Sequence, residues 1–230
     1  MEYVELARAE SERGELVLRE RRPEGGTPAL ELRANGAFVM DTLEVSTERA
    51  LATAALGLVD PPRAVVVGGL GLGFTMHEVL ADSRVETCAV VEIEEALVGW
   101  MRDGTVPHGP ALLADERVRI VVADIAVALA EAAPATYDLV LLDVDNGPGY
   151  LVHEGNARLY EEPLLRAAHR TLRPGGALAI WSAAEAPELA DSLAAVFGDV
   201  EALPLDVLLQ GRDERYWVYV ARTGQENSAR

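Results

Sequence analysis

Apolar positions in this chain follow two different rhythms. From residue 2 to 40 they fall in short β-prone runs, EYVELARA, GELVLRER, ALELRANG and AFVMDT, broken by Gly and Pro. Asn35-Gly36 between two of these runs is a strong hairpin signal. The pattern predicts a small antiparallel β unit over residues 1–42. Residues 44–58 shift to helical spacing, with Ser46 or Thr47 as N-cap and alanine and leucine in the body, until Pro61-Pro62 stops them. Residues 43–62 therefore read as a helix linking the β unit to the main domain.

Beyond residue 63 solid apolar runs alternate with amphipathic ones, which predicts an α/β fold with a mainly parallel sheet. Residues 64–67 form a first strand that runs into Gly68, Gly69, Gly71 and Gly73, and a helix carrying Met76, Val79 and Leu80 comes next. Strand 87–91 then ends on Glu92, helix 94–101 precedes a loop over 104–114, and VRIVVAD ends on Asp124. Helix IAVALAEAA leads to YDLVLLDVDNGPG, whose strand ends on Asp143. A single amphipathic helix is expected over 156–172, closed by the glycine turn of LRPGG. A fifth strand ALAIWSA, the helix APELADSLAAVFG and a terminal hairpin (200–209 with 215–221) complete the domain 63–223, leaving 224–230 as a polar, flexible tail.

Three successive strands thus deliver an acidic residue at the edge where open α/β sheets bind ligands. Glu92 lies 19 residues after Gly73, close to the ~20 at which a nucleoside-binding fold places its ribose carboxylate. The glycines let the backbone turn with positive φ and approach a ligand closely. Their order is G-x-G-x-G over Gly69, Gly71 and Gly73. A dinucleotide fingerprint needs G-x-G-x-x-G, and its last glycine falls on Phe74 or Met76. The loop suits an S-adenosyl sulfonium better than a nicotinamide dinucleotide.

Composition narrows the partners. The 230 residues are 50% hydrophobic and carry 38 acidic against 20 basic residues, a formal charge of -18. Such a surface repels a phosphate backbone, so nucleic acid is not an expected partner, and it favours a cationic small molecule. The chain has no Lys, which excludes a Walker A loop and Schiff-base chemistry. His77, His108, His153 and His169 are scattered, so no metal site is expected. The N-terminal segment is charged, no apolar run reaches membrane-spanning length, and the single Cys88 sits within a strand. These features predict a soluble, cytoplasmic protein without membrane association.

With those motifs in place the chain resembles the spermidine synthase family, within the class I S-adenosylmethionine-dependent methyltransferase fold. VVVGGLGLG is similar to the family's first strand and glycine loop, VVEIE to its ribose-binding strand end, VVADI to its adenine-binding segment, and LLDVDNGPG to its D-S-x-D-P-x-G-P catalytic segment. The resemblance implies a Rossmann-like catalytic domain behind a small β unit. It implies that Glu92 and neighbouring Ile93 hold the ribose, and that Asp124 and Ile125 meet the adenine. Asp143 would be the general base, which the chemistry needs because a protonated amine has no lone pair for attack on a sulfonium carbon. Asp145 would bind the cationic substrate.

Two departures bear on the reaction. Gly71 stands where aminopropyltransferases of the family have a loop Asp, and Thr47, Glu48 and Arg49 stand where the family has Y-Q-E. Glu48 is thereby placed among the donor-binding residues, and Arg49 could meet a donor carboxylate. The expected function is alkyl transfer to a small amine, methyl from S-adenosylmethionine slightly ahead of aminopropyl from decarboxylated S-adenosylmethionine. A non-catalytic adenosyl-binding protein and a nicotinamide-dependent oxidoreductase are the alternatives. The exposed edge of the N-terminal β unit predicts a homodimer through residues 2–40.

Overall fold

The computed structural model describes residues 2–224. Four strands, β1 (Glu2–Ser11), β2 (Gly14–Arg22), β3 (Ala29–Ala34) and β4 (Ala37–Asp41), form an antiparallel sheet in chain order. Asn35 and Gly36 both take positive φ, 52° and 76°, the conformation a two-residue hairpin turn requires. β1 is an edge strand on which Tyr3 and Leu6 are exposed.

A seven-stranded sheet carries the rest of the chain. It is built from β5 (Ala64–Gly68), β6 (Thr87–Glu92), β7 (Val118–Val122), β8 (Tyr137–Leu142), β9 (Leu172–Ser182), β10 (Val200–Leu209) and β11 (Arg212–Arg222). Their order is β10-β11-β9-β8-β5-β6-β7, with β5 to β9 mutually parallel and the last hairpin antiparallel. The solid apolar runs reflect burial on both faces. Val65, Val67, Leu139 and Leu141 face a core shared with α1 (Ser46–Leu56), α2 (Phe74–Ala81) and α3 (Glu95–Asp103). Val66, Val140, Leu142 and Ile180 face the opposite core, shared with α5 (Ile125–Glu131), α6 (Glu162–Thr171) and α7 (Pro187–Phe197). No helix among the described residues is long and apolar enough to cross a membrane. Cys88 is fully buried, and burial pushes its thiol up to about 12.

The N-terminal sheet joins the first of these cores through Leu16, Leu18, Leu32 and Met40. Met40 is the contact that matters for the site: its sulfur accepts the Leu72 N–H at 3.2 Å, directly behind the glycine loop.

Four local expectations are corrected. Neither Ser46 nor Thr47 caps α1; Val45 precedes the helix without a side-chain cap, and the Glu44 carboxylate accepts the Ser46 N–H instead at 2.8 Å. The loop expected over 104–114 contains a short helix α4 (Gly109–Leu113), started by Pro110. The single helix expected over 156–172 is two pieces, a 3-10 segment (Glu154–Tyr160) and α6, because Pro163 has no N–H to continue a helix from its N-terminal side. LRPGG is no turn after that helix. It begins β9, where Arg173 to Gly176 bulge out between the pairs Tyr137–Leu172 and Leu139–Ala177. Of the tail expected over 224–230, positions 225–230 lie outside the described residues.

One close approach sets the geometry of the sheet's upper edge. Gly69 has φ +92°, and a Cβ there would lie 2.0 Å from the Asp143 carbonyl oxygen. Gly69→Ala is therefore expected to cost about 2–4 kcal/mol, from strain at positive φ plus the clash. Urea unfolding measures this, and a loss under about 0.5 kcal/mol would show that the glycine loop moves freely away from β8.

Candidate functional site

The C-terminal ends of β5, β6, β7 and β8 open into a cavity of about 170 Å³. Gly69, Gly71, Glu92, Ile93, Asp124 and Ile125 line it from the sheet side. The Glu92 carboxylate is buried, and two backbone amides aim it: Oε2 accepts from Leu70 and Oε1 from Glu94, both at 2.8 Å. Burial pushes its pKa up, while those amide bonds pull the other way. Each oxygen retains a lone pair for a ligand hydroxyl. Asp124 caps α5, its Oδ1 accepting the Ala126 N–H at 2.8 Å, while Oδ2 pairs with the exposed Arg158 guanidinium.

The four glycines of the loop divide by task. Gly69 and Gly71 line the cavity, whereas Gly68 and Gly73 do not. A Cβ on Gly68 would meet Ile125 Cγ1 at 2.8 Å, so that glycine makes room for Ile125 beneath the cavity. Gly73 begins α2 at φ +87°, with Met101 and Leu112 close against it. Both serve packing and turn geometry.

A second cavity, about 510 Å³, lies between β4, α1 and the β9 and β11 side of the sheet. It meets the first at Val39, Gly71, Asp143 and Asp145, which line both. Its character is acidic. Asp41, Glu44 and Glu48 line it from the β4–α1 corner, Asp143 and Asp145 from the end of β8, and Glu185 and Glu214 from the far side. Arg215 is the one cationic side chain among the lining residues, and it is already paired with Asp206 at 2.6 Å. Trp181 and Tyr216, edge to face with centroids 5.0 Å apart, supply an aromatic wall. The Trp181 indole N–H is buried and has no hydrogen-bond partner.

Asp143 sits one residue past β8, where the two cavities join. The Thr75 hydroxyl, in the first turn of α2, donates to Asp143 Oδ2. Desolvation raises the Asp143 carboxyl to about 6 against that bond. Asp145 takes a left-handed φ of 60° and organises the segment after β8. Its Oδ1 accepts the Asn146 and Val152 amides at 2.7 and 2.6 Å, and its Oδ2 accepts Asn156 Nδ2 at 2.6 Å.

Glu48 lines the second cavity and not the one at the glycine loop. Desolvation first, and the neighbouring Asp143 charge second, raise its carboxyl to about 7. The corner that carries it is fixed by Asp41. There Oδ2 accepts from buried Arg21 at 2.9 Å and Oδ1 accepts the Leu43 and Glu44 amides. Arg49 is exposed and lines neither cavity, so the positive charge that the sequence suggested for a donor carboxylate is not there.

Other residues were not singled out from the sequence. Arg13, in the β1–β2 turn, reaches over the first cavity, donating to Asn156 Oδ1 at 2.9 Å with Nε 3.4 Å from Glu94. Thr75, Trp181 and Tyr216 likewise carry no motif. The available signal was Trp181, next to the end of β9 after an apolar run; Tyr216 lies mid-strand in β11 among other aromatic residues.

The family model described as the spermine/spermidine synthase domain matches residues 44–195. Putrescine N-methyltransferase 3 of Nicotiana tabacum is 32% identical over 123 residues, covering 53% of this chain and 30% of the relative. Polyamine aminopropyltransferase 2 of Pseudomonas aeruginosa is 32% identical over 125 residues, covering 53% and 34%. The matched part of this chain thus spans about a third of these curated relatives. The crystal structure of spermidine synthase from Thermotoga maritima superposes with a TM-score of 0.80 at 18% identity, covering 96% of this chain and 74% of that one. A likeness of that kind establishes the fold, Rossmann-like with a β unit in front.

The two raised carboxyls make stability depend on pH. Above the ordinary carboxylate range the folded protein holds protons that the unfolded chain has lost, on Asp143 up to about 6 and on Glu48 up to about 7. Their contribution is thus fully present below about pH 4 and is lost as pH rises through 7. Glu48→Gln removes the Glu48 share, so the variant should gain on the wild type by on the order of 1–3 kcal/mol between pH 5 and 8. Urea unfolding of both proteins across that range is the check. A constant difference would mean that Glu48 ionises without penalty.

Proposed function

The chain belongs to the spermine/spermidine synthase family, and from that premise we propose that it transfers an alkyl group from an S-adenosyl sulfonium donor to a cationic amine. The observation that carries this reading is the junction of the two cavities at Asp143. One side offers a glycine loop and a buried, amide-held Glu92 among six lining carboxylates; the other offers a chamber lined by seven carboxylates, two of them shared, with an aromatic wall. A field of that sign concentrates a cation and repels an anion.

In this reading Glu92 holds the donor's ribose hydroxyls, with Ile93 beside it. Asp124 and Ile125 meet the base, the Arg158 side chain yielding the outer oxygen of Asp124. Gly69 and Gly71 let the loop backbone approach the sulfonium side. The acceptor ammonium sits at Asp143, which takes its proton and frees a lone pair. The amine nitrogen then attacks the sulfonium carbon, and the electrons of the breaking C–S bond pass to sulfur, leaving a neutral thioether. Asp145 acts mainly by holding residues 146–156 over this junction and adds its negative charge to the chamber. Rate enhancement comes from orientation and from excluding water around the charged partners.

Relatives of equal identity include a methyltransferase and an aminopropyltransferase. The distant position of Arg49 removes one argument for a donor that carries a carboxylate. Incubating the protein with 1,4-diaminobutane and related amines, in the presence of either donor, decides the reaction by which nucleoside is released. S-adenosylhomocysteine marks methyl transfer and methylthioadenosine marks aminopropyl transfer.

With the amine so identified, Asp143→Asn is expected to lower kcat by 10²- to 10⁴-fold with little change in donor affinity. Glu92→Ala should instead abolish measurable donor binding, by the loss of charged hydrogen bonds of about 1.5–3 kcal/mol each. Wild-type turnover in Asp143→Asn would remove Asp143 from the base role.

A further inference from the structure

Glu48 has no task in the transfer as proposed, yet its setting is unusual. It is buried at the wall of the acceptor chamber, on the first turn of α1, and its Oε2 accepts the Thr47 hydroxyl at 3.0 Å. Thr75 lies between Asp143 and the backbone of Glu48. The Thr75 hydroxyl bonds Asp143 Oδ2 and lies 3.5 Å from the Glu48 carbonyl oxygen. Among the described residues neither Glu48 nor Asp143 has an ion-pair partner.

Hydrogen bonds from Thr47 and Thr75 favour the charged forms, but among the described residues the surroundings add no free cation. Glu44 and Asp41 face the pair from the β4–α1 corner, Asp145 and Tyr160 from beyond β8, and Glu185 from the loop after β9. Glu214, Tyr216 and Arg215 face it from β11, and Arg215 is held by Asp206. Two carboxylates on the wall of one chamber, Glu48 buried and Asp143 half-buried, cannot both ionise cheaply without a cation, so one proton is retained between them until a cation arrives. The direction of both raised carboxyls agrees.

We propose that Glu48 and Asp143 work as one proton-sharing pair, in which a proton occupies the acceptor's place in the free protein and leaves for solvent when the acceptor ammonium binds. Glu48 is then a second proton-accepting carboxylate of the proposed transfer, on which this inference rests. The protons balance over a turnover. The pair releases one on binding the ammonium R–NH3+ and takes one back from it as the nitrogen becomes nucleophilic. After attack the product leaves as the secondary ammonium R–NH2+–R′, and the pair again holds a single proton.

The test is calorimetric titration of 1,4-diaminobutane into the protein saturated with methylthioadenosine, at pH 6.5, in two buffers of different ionisation heat. The wild type should release close to one proton per diamine bound, and its affinity should fall by up to tenfold per pH unit from 7 to 5. Glu48→Gln should bind with little release and a nearly flat pH profile. Glu48→Asp, which keeps the acid, should restore the release, and methylthioadenosine binding by each variant shows that it is folded. Equal proton release by wild type and Glu48→Gln, or diamine binding by the wild type with no release, overturns the pair and leaves the proposed transfer standing. Wild-type protein that binds methylthioadenosine but no diamine overturns the cationic acceptor and the pair together. Failure to bind either overturns the whole functional reading.

Discussion

The structure depends on how closely the glycine loop can approach the end of β8. Asp143 donates its backbone N–H to the Gly68 carbonyl at 2.9 Å, and Gly69 donates to Val91 at 2.9 Å, so three parallel strands end in one continuous ladder. At position 69 any side chain would collide with the Asp143 carbonyl oxygen. Because the loop sits this close, Glu92 at the end of β6 can accept the Leu70 amide, and Asp143 can meet Thr75 in the next helix. The sheet edge thus holds the carboxylates of Glu92 and Asp143 against one glycine loop and the helix that follows it.

The N-terminal sheet completes that edge. Met40 packs behind Gly71 and accepts the Leu72 amide, which ties β4 to the loop. Asp41, the next residue, is held by Arg21 and turns the chain into α1, bringing Glu44 and Glu48 to the second cavity. The small sheet is thus a wall for both cavities, with Arg13 closing the first and the β4–α1 corner shaping the second. Both cavities are acidic, six carboxylates lining the first and seven the second; the glycine loop with the amide-held Glu92 marks the first, and the Trp181–Tyr216 wall marks the second.

The fold was legible because its strongest signals are redundant. Solid apolar runs, a glycine turn and an acidic residue at each strand end all indicate a parallel sheet, and Asn35-Gly36 marks the N-terminal hairpin. The misreadings come from places where one residue type serves two local structures. Pro163 divides a helix whose apolar spacing is continuous, and Pro174-Gly175-Gly176 forms a bulge inside a strand where a turn was expected. In the site, Glu92, Asp124, Asp143 and Asp145 could be named from strand ends and motif. That Gly68 and Gly73 serve packing could not, since their φ and neighbours appear only in three dimensions. Glu48 and Arg49 show the same limit. Adjacent in sequence, they point to opposite environments because α1 turns about 100° per residue, burying one at the chamber and exposing the other.

The central claim is that two ligands meet at Asp143, one nucleosidic and one cationic. Its most direct measurement uses an adenosyl thioether that carries a diaminoalkyl arm on sulfur, long enough to cross from the first cavity into the second. Equilibrium competition should show it displacing both methylthioadenosine and 1,4-diaminobutane, and binding at least 10²-fold more tightly than methylthioadenosine, as linked ligands do when geometry allows both to engage. An adduct that binds no better than methylthioadenosine and leaves 1,4-diaminobutane bound would contradict the account.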